Sequence, residues 1–208
     1  MKNKRYIGQF MIRQIAGILI LIQIILSQQV QEGTPYSQLN GLDNTYHSIN
    51  LPLVDREAML EEDSVKPQGT PYRYGFKHEV NYSPENSGIW EETTDGGLLW
   101  QISFKSEDAF ALSFEYDKFF IPEGGELYIM TPDYEMVQGA YTHLNNSNTR
   151  RFASPHLKGD TALIEYYQPA GVEGQFSLII TEIIHDYRDI MDFSNNGRDW
   201  ECGVNVIC

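Results

Sequence analysis

Apolar and polar residues alternate along two neighbouring stretches in the middle of the chain. In residues 100–105, Trp100 and Ile102 are separated by the polar side chain of Gln101, and residues 110–116 repeat the pattern with aromatic and branched side chains. A period of two indicates β-strands that bury one face and leave the other half-exposed. We therefore place Trp100 in the core of the protein.

Further strands follow the same two stretches. The pattern predicts them at 126–130, 136–142, 161–167 and 175–185. Segments rich in Pro, Gly, Asn and Asp separate these strands, and no long helical pattern lies between them. Short strands at this spacing are typical of all-β folds, so we predict an antiparallel β-sandwich, or jelly roll, over residues 85–188. The nearly continuous apolar run at 178–184 predicts a central strand covered on both faces.

The regions on either side of the predicted sandwich lack a strong period. Residues 28–84 contain many turn sequences, and we predict an irregular segment there with one short helix at 55–62. Polar residues dominate from 186 to 201, which predicts an exposed linker with a processing region at 189–201. A last short segment occupies 202–208.

The N-terminus has the three-part pattern of a secretory signal. Basic residues are followed by an apolar stretch at 15–26, interrupted only by Gln23, and then by polar residues. This stretch is shorter than the roughly 20 residues that a membrane span needs and suits a signal peptide over residues 1–27. We expect cleavage near Ser27 or Gln28, secretion or export to the periplasm, and no membrane contact afterwards. The alternative is an uncleaved membrane anchor.

The net charge argues against binding to nucleic acids. The chain carries a net charge of −14, and after removal of residues 1–27 the count is 11 basic and 29 acidic groups, a net charge of −18. Such a surface repels phosphate backbones. We interpret the acidity as a source of solubility.

The sequence lacks the common catalytic and metal-binding patterns. The sequence has no G-x-S-x-G elbow and no glycine-rich phosphate loop. His78-Glu79 begins like a zinc-protease motif, but Tyr82 stands where the second histidine is required, and the other histidines are isolated. We interpret the acidic clusters at 61–63 and 91–92 as solvated. We predict no catalytic residues, no cofactor and no metal site.

Two cysteines lie close together near residue 208. Cys202 and Cys208 are separated by the strand-like run GVNVI. Residues six apart on an extended strand lie about 20 Å from each other, beyond the disulfide reach of about 7 Å between Cα atoms. We therefore favour partners elsewhere in a longer chain over a bond between the two.

The segment CGVNVIC at 202–208 resembles the C-N-V-D-V-x-C stretch that opens mature lysyl endopeptidases, with Gly203 as a departure. The segment before it is similar to the pro-region of these secreted bacterial trypsin-like serine proteases. The shared motifs are LPLVDREAMLEED at 51–63, G-x-W at 88–90, GLLWQISF at 97–104, FFIPEGGELYIM at 119–130, GAYT at 139–142, GDTALIEYYQP at 159–169 and HDYRD at 185–189.

The resemblance implies a precursor fragment, comprising a signal peptide and a pro-region, that stops at the start of the catalytic domain. No motif of the family's catalytic triad occurs in the sequence, so no catalytic residue is carried over. The chain would assist folding of the protease domain of its own precursor, or keep that domain latent. Candidate processing sites are Arg198, which we prefer, and Arg188. The alternative functions are a free-standing sandwich that binds glycans or another surface ligand and, less favoured, an independent enzyme.

Overall fold

The computed structural model describes residues 33–42 and 48–193, which contain eleven β-strands, three short α-helices and one 3-10 turn. The helices are α1 (Tyr36–Leu39), α2 (Arg56–Ser64) and α3 (Ile190–Phe193), and the 3-10 turn is His143–Asn145. The strands are β1 (Ser48–Asn50), β2 (Gly75–Tyr82), β3 (Ile89–Glu92), β4 (Leu98–Lys105), β5 (Ala111–Phe120), β6 (Glu126–Met130), β7 (Val137–Tyr141), β8 (Phe152–Ala153), β9 (Leu157–Lys158), β10 (Thr161–Gln168) and β11 (Ser177–Asp186).

The strands form two sheets. The first has the order β1-β4-β10-β6-β7, with β3 also paired to β4, and the second has the order β2-β11-β5-β8, with β9 also paired to β5. All of these pairs are antiparallel except β1 with β4. The predicted all-β, mainly antiparallel sandwich is confirmed.

Side chains from both sheets build one core. Trp100 and Phe104 of the first sheet are fully buried, as are Phe114 and Ile180 of the second. The prediction that Trp100 is a core residue is confirmed.

The outer face of the first sheet is less exposed than predicted. Gln101 and Ser103 point away from the core, yet they are only 4% and 6% exposed. Residues 33–42 pack over this face, where the backbone N–H of Ser37 donates to Glu165 at 3.2 Å. The alternation therefore assigned residues correctly to the two faces of the strand. It was wrong about the exposure of the polar face, because a segment distant in sequence covers that face.

The predicted irregular segment at 28–84 contributes to both sheets, and this corrects the prediction. Strand β1 pairs with β4, and β2, which is eight residues long, pairs with β11 at six positions. A three-residue strand is too short to show a period. In β2, an edge strand, the pattern is weakened because the polar His78 is buried and the apolar Phe76 is exposed. The helix predicted at 55–62 is confirmed as α2, which Asp55 caps by accepting from the N–H of Ala58.

The apolar run at 178–184 lies in β11, between β2 and β5, as predicted for a central strand. Its cover is less complete than predicted. Leu178 and Ile180 are buried, whereas Ile179 and Thr181 on the outer face are only half-buried.

Candidate functional site at the end of the last strand

Two segments far apart in sequence meet at the C-terminal end of β11. The Tyr187 hydroxyl donates to Oδ2 of Asp63, near the end of α2, at 2.6 Å, and the Arg188 guanidinium donates to the same oxygen at 2.7 Å. Arg73, just before β2, donates from Nε to Oδ1 of Asp63 at 2.9 Å. We call Asp63, Arg73, Tyr187 and Arg188 the clasp, because they join α2, the loop before β2 and the end of β11.

Asp63 is the anionic centre of the clasp. Its side chain is 8% exposed and forms ion pairs with Arg73, Arg188 and Lys66. Burial by itself raises the pKa of Asp63, but hydrogen bonds from Lys66, Tyr187 and Arg188 and the charge of Arg73 together hold that pKa well below its ordinary value. The carboxylate therefore remains charged at any physiological pH. The interpretation of residues 61–63 as a solvated cluster is wrong for Asp63, whereas Glu91 and Glu92 are exposed as predicted.

The clasp corrects the prediction that an exposed linker begins at residue 186. Asp186 and Tyr187 are fully buried, because β11 continues to Asp186 and pairs there with both β2 and β5. Helix α3 follows directly. The polar residues at this point are paired within the fold rather than facing solvent.

Arg188, one of the two candidate processing positions, lies inside this arrangement. Its Nε donates to the backbone carbonyl of Arg73 at 2.9 Å, and its guanidinium lies over the rings of Tyr72 and Tyr187 at 5.0 and 5.5 Å. The ion pair that it forms is with Asp63 at 2.7 Å, rather than with the neighbouring aspartates of its own segment. Its side chain is 22% exposed.

A second buried polar group adjoins the clasp. His78 on β2 and His185 on β11 both contact Ser106, whose Oγ lies 2.7 Å from Nδ1 of His185 and 3.4 Å from Nε2 of His78. Burial lowers the pKa of His78, and burial together with the nearby His78 lowers the pKa of His185. Ser106 is fully buried, so its hydroxyl cannot reach a substrate. We interpret this triangle as structural.

A third polar group lies under residues 33–42. Glu165 on β10 is fully buried and accepts from the amide of Gln101 at 2.7 Å and from the backbone N–H of Ser37. Strand register places Glu165 directly opposite Gln101. This group fastens the N-terminal segment to the outer face of the first sheet.

An aromatic cleft lies at the end of the sandwich opposite the clasp. Trp90 is 41% exposed, its indole N–H donates to the carbonyl of Pro84 at 3.0 Å, and Phe176 and Leu98 line the cleft beside it. Other aromatic rings pack in the core, including that of Tyr166, which stacks on the Phe176 ring with centroids 3.6 Å apart.

Within 33–42 and 48–193, no group of three His, Cys, Asp or Glu side chains is arranged to hold a metal ion. In the same part of the chain, no helix is long and apolar enough to cross a membrane.

Comparison with known proteins connects this fold to a protease precursor. The model of the lysyl endopeptidase N-terminal domain matches residues 51–185, well over half of the chain. The chain belongs to the lysyl endopeptidase N-terminal domain family. The resemblance to a lysyl-endopeptidase-like precursor is thereby confirmed at the level of the family.

One solved structure also has a limited similarity to this N-terminal domain. It is an isomalto-dextranase from Arthrobacter globiformis T6 in complex with panose, similar over 47% of this chain at 10% identity with a TM-score of 0.22. The matched part is 17% of that protein's length. A likeness at this level supports no conclusion about fold or ligand.

Most of the site residues predicted from the sequence of this lysyl endopeptidase N-terminal domain lie outside the described part of the chain. Ser27, Gln28, Arg198, Cys202 and Cys208 lie outside the described residues. Of the predicted processing positions, the structure places Arg188, and it places that residue in the clasp. The sequence interpretation missed the partners of Arg188 and the buried roles of Ser106 and Glu165.

One signal for the clasp was available in the sequence. Asp63 ends the family motif at 51–63, and Tyr187 and Arg188 lie within the motif at 185–189. Two of the motifs that carry the resemblance are therefore joined in space, although they are more than 120 residues apart.

Proposed function

We propose that this chain is the pro-region of a secreted, trypsin-like lysyl endopeptidase precursor and that it acts on the protease domain of the same precursor. The observation that carries the proposal is the family match over residues 51–185. The pro-region assists folding of the protease domain or holds that domain latent. Both roles have one physical basis, since a domain that binds the folded protease stabilises it relative to the unfolded chain.

The clasp supports a definite order along the precursor. It fixes the place at which the chain leaves the sandwich. Helix α3 follows and ends at Phe193. Arg198 follows five residues later, and we propose cleavage of the Arg198–Asp199 bond during maturation. Cys202 and Cys208 then remain with the protease domain and pair with cysteines further along it. A signal peptide ending near Ser27 or Gln28 directs export.

Refolding in trans tests the proposal. The denatured protease domain of the precursor is diluted into buffer with and without the purified chain, and peptidase activity on a lysyl substrate is followed. A higher yield of active protease supports a folding role, and tight inhibition of the already folded protease supports latency. The Trp100→Asp variant, with a disrupted core, is the control that does neither. If the wild-type chain does neither, the proposal is refuted.

A second candidate function is ligand binding at the aromatic cleft. The half-exposed ring of Trp90 is held by its hydrogen bond to Pro84, and Gln175 and Glu85 lie on the same cleft. A fixed indole beside polar groups is suited to stacking against a sugar ring. Affinity electrophoresis against a panel of polysaccharides tests this candidate, with retardation of the wild type and none of the Trp90→Ala variant as the supporting result.

A further inference from the structure

The peptide bond between Arg188 and Asp189 follows the clasp directly. We propose that it is a latent cleavage site for trypsin-like proteases, closed in the folded domain by the clasp and opened when Asp63 releases the arginine. The biological meaning of such a site rests on the proposed function, because cleavage there would separate the sandwich from whatever follows it. The closure itself is a property of this chain alone.

The side chain of Arg188 is not available to a protease in this structure. A trypsin-like enzyme selects its substrate by taking the whole arginine side chain into a specificity pocket. Here the guanidinium is bound by Asp63 and by the carbonyl of Arg73, and its central carbon lies 5.0 Å from the centroid of the Tyr72 ring. Each of these contacts must break before the arginine can enter another pocket.

The backbone around the bond is also held in an unsuitable shape. Proteases need an extended, accessible segment. The buried carboxylate of Asp186 accepts from the N–H of Arg188 at 2.7 Å and from the N–H of Ile190 at 3.0 Å. Asp189 between them has a φ of 56°, a left-handed conformation that is incompatible with an extended strand. The segment cannot straighten while these bonds persist.

Opening the clasp frees the side chain of Arg188 and removes one anchor of Tyr187, and the bonds of Asp186 to Arg188 and Ile190 then break by local opening of the segment. Without the Asp63 carboxylate, the guanidinium loses its ion pair, and Tyr187 loses the acceptor at 2.6 Å that helps to hold it in place. Hydrolysis then consumes one water molecule and breaks the C–N bond between Arg188 and Asp189. The hydroxyl goes to the carbonyl carbon of Arg188 and the proton to the amide nitrogen of Asp189.

Limited digestion of the purified chain with trypsin, followed by mass spectrometry, tests the closure. Cleavage after Arg188 in the folded wild type is expected to be at least about 100-fold slower than in the same chain unfolded in urea. Asp63→Asn is expected to accelerate cleavage at Arg188 by about tenfold or more, while Lys105 and Lys158 in the strands stay protected. Glu62→Gln is the matched control. Glu62 contacts Arg73 from an exposed position and makes no bond to Arg188, so this variant should behave like the wild type.

Two results would overturn the inference: rapid cleavage after Arg188 in the folded wild type, or unchanged protection in Asp63→Asn. If Asp63→Asn unfolds the whole domain, cleavage at Lys105 and Lys158 will rise in parallel. The Tyr72→Ala variant then decides, because the exposed Tyr72 ring contacts the Arg188 guanidinium and lies outside the core. Selective acceleration at Arg188 supports the closure, and no acceleration refutes it. No protease domain is present in this assay, so its outcome is independent of the proposed folding or latency role.

Discussion

The hydrogen-bonding capacity of one residue, Ser106, makes its group with His78 and His185 sensitive to pH. A hydroxyl donates one hydrogen and accepts another, so Ser106 can satisfy two neutral imidazoles when one accepts and the other donates. When both rings are protonated, they offer only donors, and the hydrogen of Ser106 has no acceptor within the triangle. The ring centroids are 6.3 Å apart, so the two positive charges would also repel each other.

We therefore predict that acid destabilises the domain. The pKa of each histidine is lowered in the folded state by burial, and for His185 also by His78, although Asp186 and Asp108 act in the opposite direction. The unfolded chain then binds more protons, so the stability contributed by these groups is complete above their ordinary pKa near 6.5 and is lost as the pH falls below it.

Urea unfolding at pH 7.5, 6.5 and 5.5 measures this effect. The free energy of unfolding should decrease as the pH is lowered in the wild type, and the decrease should be smaller in His185→Gln. His143→Gln, at an exposed position, should keep the wild-type slope. An equal slope in wild type and His185→Gln would contradict the prediction.

Gly88, in the family motif G-x-W, is required because its backbone has a positive φ and passes close to Trp100. Its φ is +75°, and an added Cβ would lie 2.5 Å from Nε1 of Trp100. That nitrogen donates to the carbonyl of Ser87 at 3.0 Å. We predict that Gly88→Ala lowers the free energy of unfolding by about 2 kcal/mol or more.

Gly171 is the matched control for that change. Its φ is +82°, but an added Cβ would have no atom within 4 Å. Gly171→Ala should therefore cost about 1 kcal/mol, since it adds backbone strain without a collision. Equal losses in the two variants, measured by tryptophan fluorescence in urea, would show that the approach to Trp100 has no effect.

At the scale of the elements, β4 combines the core and a polar layer in one strand. Trp100 is fully buried on its inner face, and Gln101 is bound to Glu165 on its outer face. We predict that Trp100→Asp lowers the free energy of unfolding by about 4 kcal/mol or more, because it places a charge in the core and removes a large side chain.

Leu98→Asp on the same strand is the control, because Leu98 is 41% exposed at the strand end. It should cost less than about 1 kcal/mol. Differential scanning calorimetry distinguishes the two. A melting temperature for Trp100→Asp close to that of the wild type would mean that Trp100 does not support the core.

At the scale of the whole molecule, the clasp bears on which of two arginines is used in processing. Arg188 is bound within the fold, and Arg198 is the preferred maturation site of the proposed precursor. We predict that Arg198→Gln slows maturation of the full precursor by about tenfold or more, because the specificity pocket loses its charged partner. Arg188→Gln should not change the mature N-terminus.

N-terminal sequencing of the mature protease and the time course of precursor loss provide both measurements. A mature N-terminus elsewhere than Asp199, or normal maturation of Arg198→Gln, would remove this site from the proposal. The two arginines lie ten residues apart, so sequencing separates the two products.

Alternation along the chain was sufficient to predict the sandwich, most of its strands and the burial of Trp100, because a period of two is a local consequence of strand geometry. The order of the motifs indicated the family. The tertiary structure alone decided that Gln101 and Glu165 are buried, that β2 completes a sheet, and that Arg188 is paired with Asp63. These outcomes depend on segments that are distant in sequence coming together, and a local pattern carries no information about which distant segment covers a face or supplies a counter-charge.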